Sequence, residues 1–324
     1  APPQPDRVIY EQPNQALIRW AAFASPIFLV PVIGAAVGAL GDVVDIEDAW
    51  NWLPDGNELW FAVALGIVGL AAATAVNLIR FYDMRLVEAD DNLRLEYGLL
   101  THRRLELPLD RVQALVTKLT PAGRLAGTVG ITAHNASFAG ETTNSYLPAV
   151  PRADGPQLSS WLIPELTNGH AIAGHPRAAL RRSLIRWTVP TTVAVAAGLL
   201  LADSGVAVVL LALIPAAAVL GWRAWRVLGH AVESKVVVSR RGAVTEHRTA
   251  VRRSRVQSVS VAANFFQRRL GLATLRIDVA QPLGKVTIRD MDTVAAARLA
   301  EQLVPGSRHG SEAGDYQPQE HGEQ

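Results

Sequence analysis

Two stretches of this chain match each other at a fixed separation, and that repeat limits the possible folds more than any other feature. Setting Gly98 on Gly242, an offset of 144 residues, brings Thr101 onto Thr245. The same offset lays Arg111, Val112 and Gln113 on Arg255, Val256 and Gln257. The match continues without a gap, with Arg124 on Arg268, Gly127 on Gly271, Ile131 on Leu275 and Ala136 on Ala280. Agreement over such a length marks a repeated structural unit.

Each copy follows a pair of apolar runs. The first pair covers residues 20–40 and 59–79, the second 187–202 and 206–222. The first two are long enough to cross a hydrocarbon core of roughly 30 Å at about 1.5 Å per residue. The second two are shorter, are separated by Asp203, Ser204 and Gly205, and read as a tight hairpin lengthened by snorkelling Arg186 and Arg223. The loop at 41–58 carries Asp42, Asp45, Glu47, Asp48, Asp55 and Glu58 and no Lys or Arg, whereas the other flanks hold Arg19, Arg80, Arg85, Arg181, Arg182, Arg186, Arg223 and Arg226. The positive-inside rule then puts the acidic loop outside and both termini in the cytoplasm. No charged residue or His lies inside the four runs. Ion and proton pathways need such groups, so a transporter or pump is disfavoured.

The polar part of each copy reads as β-rich. In the first, "MRLVEADDNLRLEYG" alternates around a polar turn as a hairpin does. "LTHRRLELP", "RVQALVTKL", "VGITAHNA" and "TNSYLPAV" follow as strands. "GPQLSSWLIPELTN" sets Leu158, Trp161, Leu162 and Leu166 on one helical face, against the breaking tendency of Pro164. The second copy gives "AVESKVVVS", "GAVTEHRTA", "RVQSVSVAA", "ATLRIDVA" and "KVTIRD". It closes with a helix capped by Asp292 or Thr293, with Val294, Ala297 and Leu303 facing inward. The residues after Val304 are polar and Gly-rich and read as a disordered tail.

With these segments in view, the chain resembles the bacterial pleckstrin-homology-like (PH-like, bPH2) domains of the membrane-flanked, YdbS/YdbT-like type. The residues that carry the resemblance are "GLLTHRRLELPLDRVQAL" from Gly98, "GRLAGTVGI" from Gly123, "GAVTEHRTAVRRSRVQSV" from Gly242 and "FFQRRLGLATLRIDVA" from Phe265. It extends over nearly the whole chain to Val304. Long members of this family look like three such units. The two units here, with a first residue other than Met, suggest a lost N-terminal unit. The expected fold class is therefore membrane α-helical hairpins plus α+β domains. It consists of two repeats of two transmembrane helices and a PH-like sheet or barrel with a C-terminal helix. The expected boundaries are a juxtamembrane segment 1–19, a first hairpin 20–79, a PH-like domain 80–168 and a linker 169–186. A second hairpin 187–222, a second domain 223–304 and the tail 305–324 follow.

The recurrent polar residues are Arg111, Gln113, Arg124 and Gly127, repeated as Arg255, Gln257, Arg268 and Gly271. A ligand-binding arginine with a helper glutamine is one reading. The structural reading has Gln bonding nearby backbone and Arg pairing with a carboxylate. It is preferred because the same pair recurs in two domains with different surfaces. The two glycines are expected to end a short helical turn at positive φ, with Arg124 and Arg268 capping carbonyls there. The second copy is the more basic, with Lys235, Arg240, Arg241, Arg248, Arg252 and Arg253 as possible contacts to anionic lipid. A merely solvated face is the alternative.

Several functional classes are excluded or disfavoured. There is no cysteine, so there is no thiol nucleophile, disulfide framework or cysteine metal site. The net charge of +2 gives no basic footprint for nucleic acid. No nucleophile elbow, P-loop or zinc-protease motif occurs, and no cofactor is implied. The expected function is a non-enzymatic scaffold of the inner cell membrane, with its PH-like domains and both termini cytoplasmic. Its expected partners are membrane lipids and either a related PH-like membrane protein or further copies of itself. An anionic-lipid-sensing module is the alternative, and a membrane enzyme or transporter is the weakest reading.

Overall fold

The computed structural model describes residues 7–24, 58–89, 92–135, 145–166, 172–200, 204–280 and 283–304. The first half of the chain opens with β1 (Arg7–Glu11), α1 (Asn14–Ala24) and α2 (Glu58–Phe81). A meander of β2 (Arg85–Ala89), β3 (Asn92–Tyr97) and β4 (Arg103–Pro108) comes next. A 3-10 turn at Leu109–Arg111 leads into β5 (Val112–Leu119), α3 (Pro121–Ala126), β6 (Thr128–Asn135), β7 (Ser145–Pro151) and α4 (Gly155–Leu162).

The second half runs through the same series. β8 (Ala173–Gly174) precedes the helix pair α5 (Arg177–Leu199) and α6 (Ser204–Val227). β9 (Gly229–Val232), β10 (Val236–Arg241) and β11 (Glu246–Arg252) form the meander, and a 3-10 turn at Arg253–Arg255 ends it. β12 (Val256–Ala262), α7 (Phe265–Arg269), β13 (Leu272–Val279), β14 (Lys285–Asp292) and α8 (Thr293–Leu303) complete the chain's described part. At an offset of 144 the bounds of β3 become those of β10, and the bounds of β6 become those of β13. The turn glycines agree as well. Gly98 has φ 111° and Gly242 φ 125°, and a Cβ there would fall 2.2 and 1.8 Å from the carbonyl oxygens of Thr101 and Thr245. Only glycine fits such a turn.

Among the described residues all strand pairing is antiparallel, in three sheets: β1-β2-β3-β4, β12-β13-β14, and a seven-stranded sheet in the order β7-β6-β5-β11-β10-β9-β8. The long sheet joins the two halves. β5 pairs with β11 from Leu119 opposite Glu246 to Ala114 opposite Val251. The cores exchange residues across this seam. Val236, Val238 and Ala250 pack into the first core with Leu95, Leu107, Leu115, Ile131 and Leu162. Ala114 packs into the second with Val237, Val251, Leu275, Ile277, Ile288 and Leu299. The unbroken "VVV" of β10 follows from this, because a strand covered on both faces carries no polar alternation.

The expected membrane hairpins are not what the structure contains. The molecule is α+β with three antiparallel sheets, and among the described residues only Leu210–Val227 is long and apolar enough to cross a membrane. The reason is visible in the helices. α5 pairs with α6, with the Ser183 hydroxyl donating to the Gly221 carbonyl at 2.8 Å. Its first half, however, carries Arg177, Arg181, Arg182 and Arg186. From Trp187 to Leu199 it reaches roughly 20 Å, short of a bilayer core. α1 holds Gln15 and Arg19 and buries Ala16, Leu17 and Ala21 within the protein. The shorter apolar part of α2 is Ile67–Phe81. Most of the first expected span, the acidic loop up to residue 57 and the tail 305–324 lie outside the described residues.

Two helix faces also differ from expectation. α8 is capped by Asp292, whose Oδ1 accepts from the amides of Val294 and Ala295. It buries Ala296, Leu299 and Leu303, while Val294 and Ala297, expected to face inward, are exposed. α4 buries Leu158 and Leu162 but stops at Leu162, because the residue before Pro164 is driven to extended geometry.

Candidate functional site

Asp290 is the pivot of the second half. It lies near the end of β14, within an irregularity of the β13–β14 register between Ile288 and Met291, with φ 59° and 1% exposure. A buried carboxylate must be met by charge and hydrogen bonds, and it is. Arg182 of α5 donates one Nη1 to both carboxylate oxygens, at 2.6 and 2.8 Å. The Gln267 amide of α7 donates to Oδ1 at 2.7 Å and to the Thr274 hydroxyl at 2.8 Å. Gln267 is itself fixed by a capping box with Asn264. His175 donates Nδ1–H to the Asp290 carbonyl at 3.0 Å and meets His230 edge to face at 5.4 Å. The Asp290 side chain therefore ties α5 and α7 to β14, and its backbone carbonyl holds His175, the residue after β8.

Around this pivot lies an arginine-rich cleft. A cavity of about 260 Å³ is lined by Arg182, Arg186, Arg276 and Arg289 together with Asn264, Gln267, Thr274 and Thr287. A second, of about 290 Å³, shares Arg186 and Arg289 and adds Arg241, Thr245 and His247. Among the described residues Asp290 is the one carboxylate lining either, and Arg182 already pairs with it. Among the described residues no carboxylate forms an ion pair with Arg186, Arg241, Arg276 or Arg289. Desolvation holds the Arg186 guanidinium below its ordinary value; Asp290 opposes this, and Arg182 and Arg289 reinforce it. Arg241 is lowered by desolvation and then by Arg289. An anion in the cleft would relieve both effects. Arginine forks match the oxygens of phosphate or carboxylate.

The family follows from comparison with known proteins. A model for the bacterial PH domain matches residues 28–166 and 188–305, most of the chain. The chain belongs to the bacterial PH domain family. No curated protein and no solved structure matches it.

In this bacterial PH domain protein the recurrent motif residues take different places. Arg111 and Arg255 end the two 3-10 turns, and Val112 and Val256 point into the two cores. Gln113 is buried, whereas Gln257 is exposed. Gly127 caps α3 at φ 71°, and Gly271 follows α7 at φ 65°. Arg268 donates to the Ala263 carbonyl at 3.2 Å. Arg124 reaches across the two halves to the Val244 carbonyl at 2.7 Å. None of the eight lines the arginine cleft.

Of the six basic residues singled out for lipid contact, only Arg241 lines the cleft. Arg240 donates to the Val227 carbonyl, and Arg253 to the carbonyls of Glu233, Ser234 and Gln302. Arg252 pairs with Glu165 at 3.3 Å and donates to the Leu109 carbonyl. Arg248 lines a separate cavity at the β5–β11 seam, and Lys235 is exposed. Sequence reading missed the site role of Arg182, Arg186, Gln267, Arg289 and Asp290. The one local signal was the spacing of Arg182 and Arg186, four apart on one helical face.

Proposed function

We propose that this bacterial PH domain protein is a non-enzymatic membrane-surface module that holds an anionic, phosphate-bearing lipid headgroup in its arginine cleft. The observation that carries this is the set of four guanidiniums, Arg186, Arg241, Arg276 and Arg289, gathered around two adjoining cavities with no ion-paired carboxylate among the described residues. The surroundings of the cleft support this reading. The cleft opens between the arginine-bearing half of α5 and the last residues of α6, Ala224 among them. The helices beyond it expose Ile185, Val189, Val193, Leu211, Val219 and Trp222. Exposed apolar surface of that extent fits contact with lipid. The cytoplasmic leaflet of the cell membrane is the natural location, because its anionic lipids attract basic side chains by about 1 kcal/mol each. A family member of the membrane-flanked type would be placed in the same way.

Sedimentation of the purified chain with vesicles tests the reading. Vesicles with anionic lipid should carry down the protein at low salt, zwitterionic vesicles much less, and high salt should abolish the difference. Replacing the exposed Arg276 and Arg289 together by Glu should remove the preference. Equal binding to both vesicle types, or a preference that survives the double replacement, would refute it.

A further inference from the structure

The seam between the two halves implies a second one. In the first half, β5 follows a 3-10 turn, pairs with β6 on one side and gives its other side to β11. β12 occupies the same place in the second half. It follows the matching 3-10 turn and pairs with β13 on one side. Among the described residues no strand pairs with its other side. β4 is the counterpart of β11 at the same offset. It pairs with β3 and, among the described residues, with no strand beyond. The molecule thus carries, at separate places, the two partners of a seam it has already built once.

The chemistry of the two edges agrees. An exposed edge offers unpaired N–H and C=O groups, and proteins that avoid pairing guard it with charge or proline. β12 reads Val-Gln-Ser-Val-Ser-Val-Ala, with neither. β4 carries Arg103, Arg104 and Glu106, but β11 carries Glu246, His247 and Arg248 and pairs all the same. Pro108 lacks an N–H, yet its counterpart Arg252 lies beyond the last pair of the β5–β11 ladder.

We propose that β12 of one copy adds to β4 of a second copy, antiparallel, in the register of the β5–β11 seam. The pair Val251–Ala114 becomes Leu107–Ser258, Thr249–Val116 becomes Leu105–Ser260, and Arg248–Thr117 becomes Arg104–Val261. Two different edges meet, so the contact is head to tail and repeats until it closes a ring or ends. The proposal is independent of lipid binding, because neither edge contributes to the arginine cleft apart from Ala262, at the end of β12.

The natural chain has no cysteine, so engineered ones stand alone. Full-length Arg104→Cys and Val261→Cys chains, each with its single thiol, are mixed and oxidised, then run on a non-reducing gel. The mixture should give a disulfide dimer that neither chain gives alone. Arg104→Cys mixed with Ser258→Cys should give far less. A Val261→Lys chain, with like charge facing Arg104, should lose assembly in size-exclusion chromatography with light scattering while its circular dichroism is unchanged. Val261→Glu should keep the assembly. No cross-link in the first mixture would overturn the proposal. So would equal cross-linking at Ser258, a Val261→Cys chain that cross-links with itself, or assembly unchanged by Val261→Lys.

Discussion

The Asp290 carboxylate is almost fully buried and depends on two side chains, Arg182 and Gln267. Removing one partner of a buried ion pair costs about 3 kcal/mol or more, because the other charge is left buried and unpaired. Arg182→Ala strands a carboxylate that is 1% exposed, whereas Asp290→Asn strands an arginine side chain that is 18% exposed. Asparagine also tolerates the positive φ found there. Urea denaturation should therefore show Arg182→Ala to be the more destabilising by at least about 1 kcal/mol. Little of this was legible. Gln267 and Asp290 lie far apart in sequence, and "KVTIRD" looks like any strand end. Gly127 and Gly271 were readable because a helical turn closed by glycine is a local signal.

The same cluster makes stability depend on pH. Burial lowers His175, and burial followed by the charge of His175 lowers His230 to about 4. An unfolded histidine titrates near 6.5. Between those values the unfolded chain binds protons that the folded chain refuses, so stability rises with pH. It is fully present above about 6.5 and falls as the pH drops toward 4. Urea midpoints measured from pH 7.5 to 4.5 should follow that slope, and His230→Gln should flatten it.

At the scale of elements, local rules succeed where the chain itself supplies the constraint and fail where contacts do. The Gly98 and Gly242 turns place strands on either side with a fixed register; β3 could be read from alternation, whereas the unbroken "VVV" of β10 carries none. The demand for glycine differs among the repeat positions. Gly242→Ala sets a Cβ 1.8 Å from a carbonyl oxygen at φ 125°, whereas at Gly127 nothing lies within 4 Å of the added atom. Gly127→Ala should cost about 1 kcal/mol of left-handed strain. Gly242→Ala should cost about 3 kcal/mol, or prevent folding of the β10–β11 hairpin. Thermal unfolding of the two variants side by side tests the order. The helices were misread for a physical reason. Hydropathy counts side chains but not what they touch, and α1 and the first half of α5 spend theirs on the edge-to-face Trp20–Phe81 contact and on the Arg182–Asp290 pair. β1 and the two-residue β8 fell in segments expected to be juxtamembrane and linker, because edge strands so short carry no periodicity.

Across the whole molecule the repeat is less a pair of beads than one interlocked body. A sequence match at fixed offset predicts two similar units, yet it is silent on how they meet, because β5 and β11 are not equivalent strands. The seam they form carries six cross-strand pairs, and side chains from each half complete the other's core. Ala114 is the sharpest case, a residue of the first half that is fully buried among residues of the second. Ala114→Leu adds volume where none is free, at a cost of about 1–3 kcal/mol. If the seam couples the halves, that cost should be felt in β13 of the second half, beside Leu275 and Ile277, as well as in β6, the neighbour of β5. Amide hydrogen exchange resolves the two strands. Protection should fall in both by about 5- to 150-fold, the factor equivalent to that free energy. Loss in β6 with β13 unchanged would mean that each half keeps its own core.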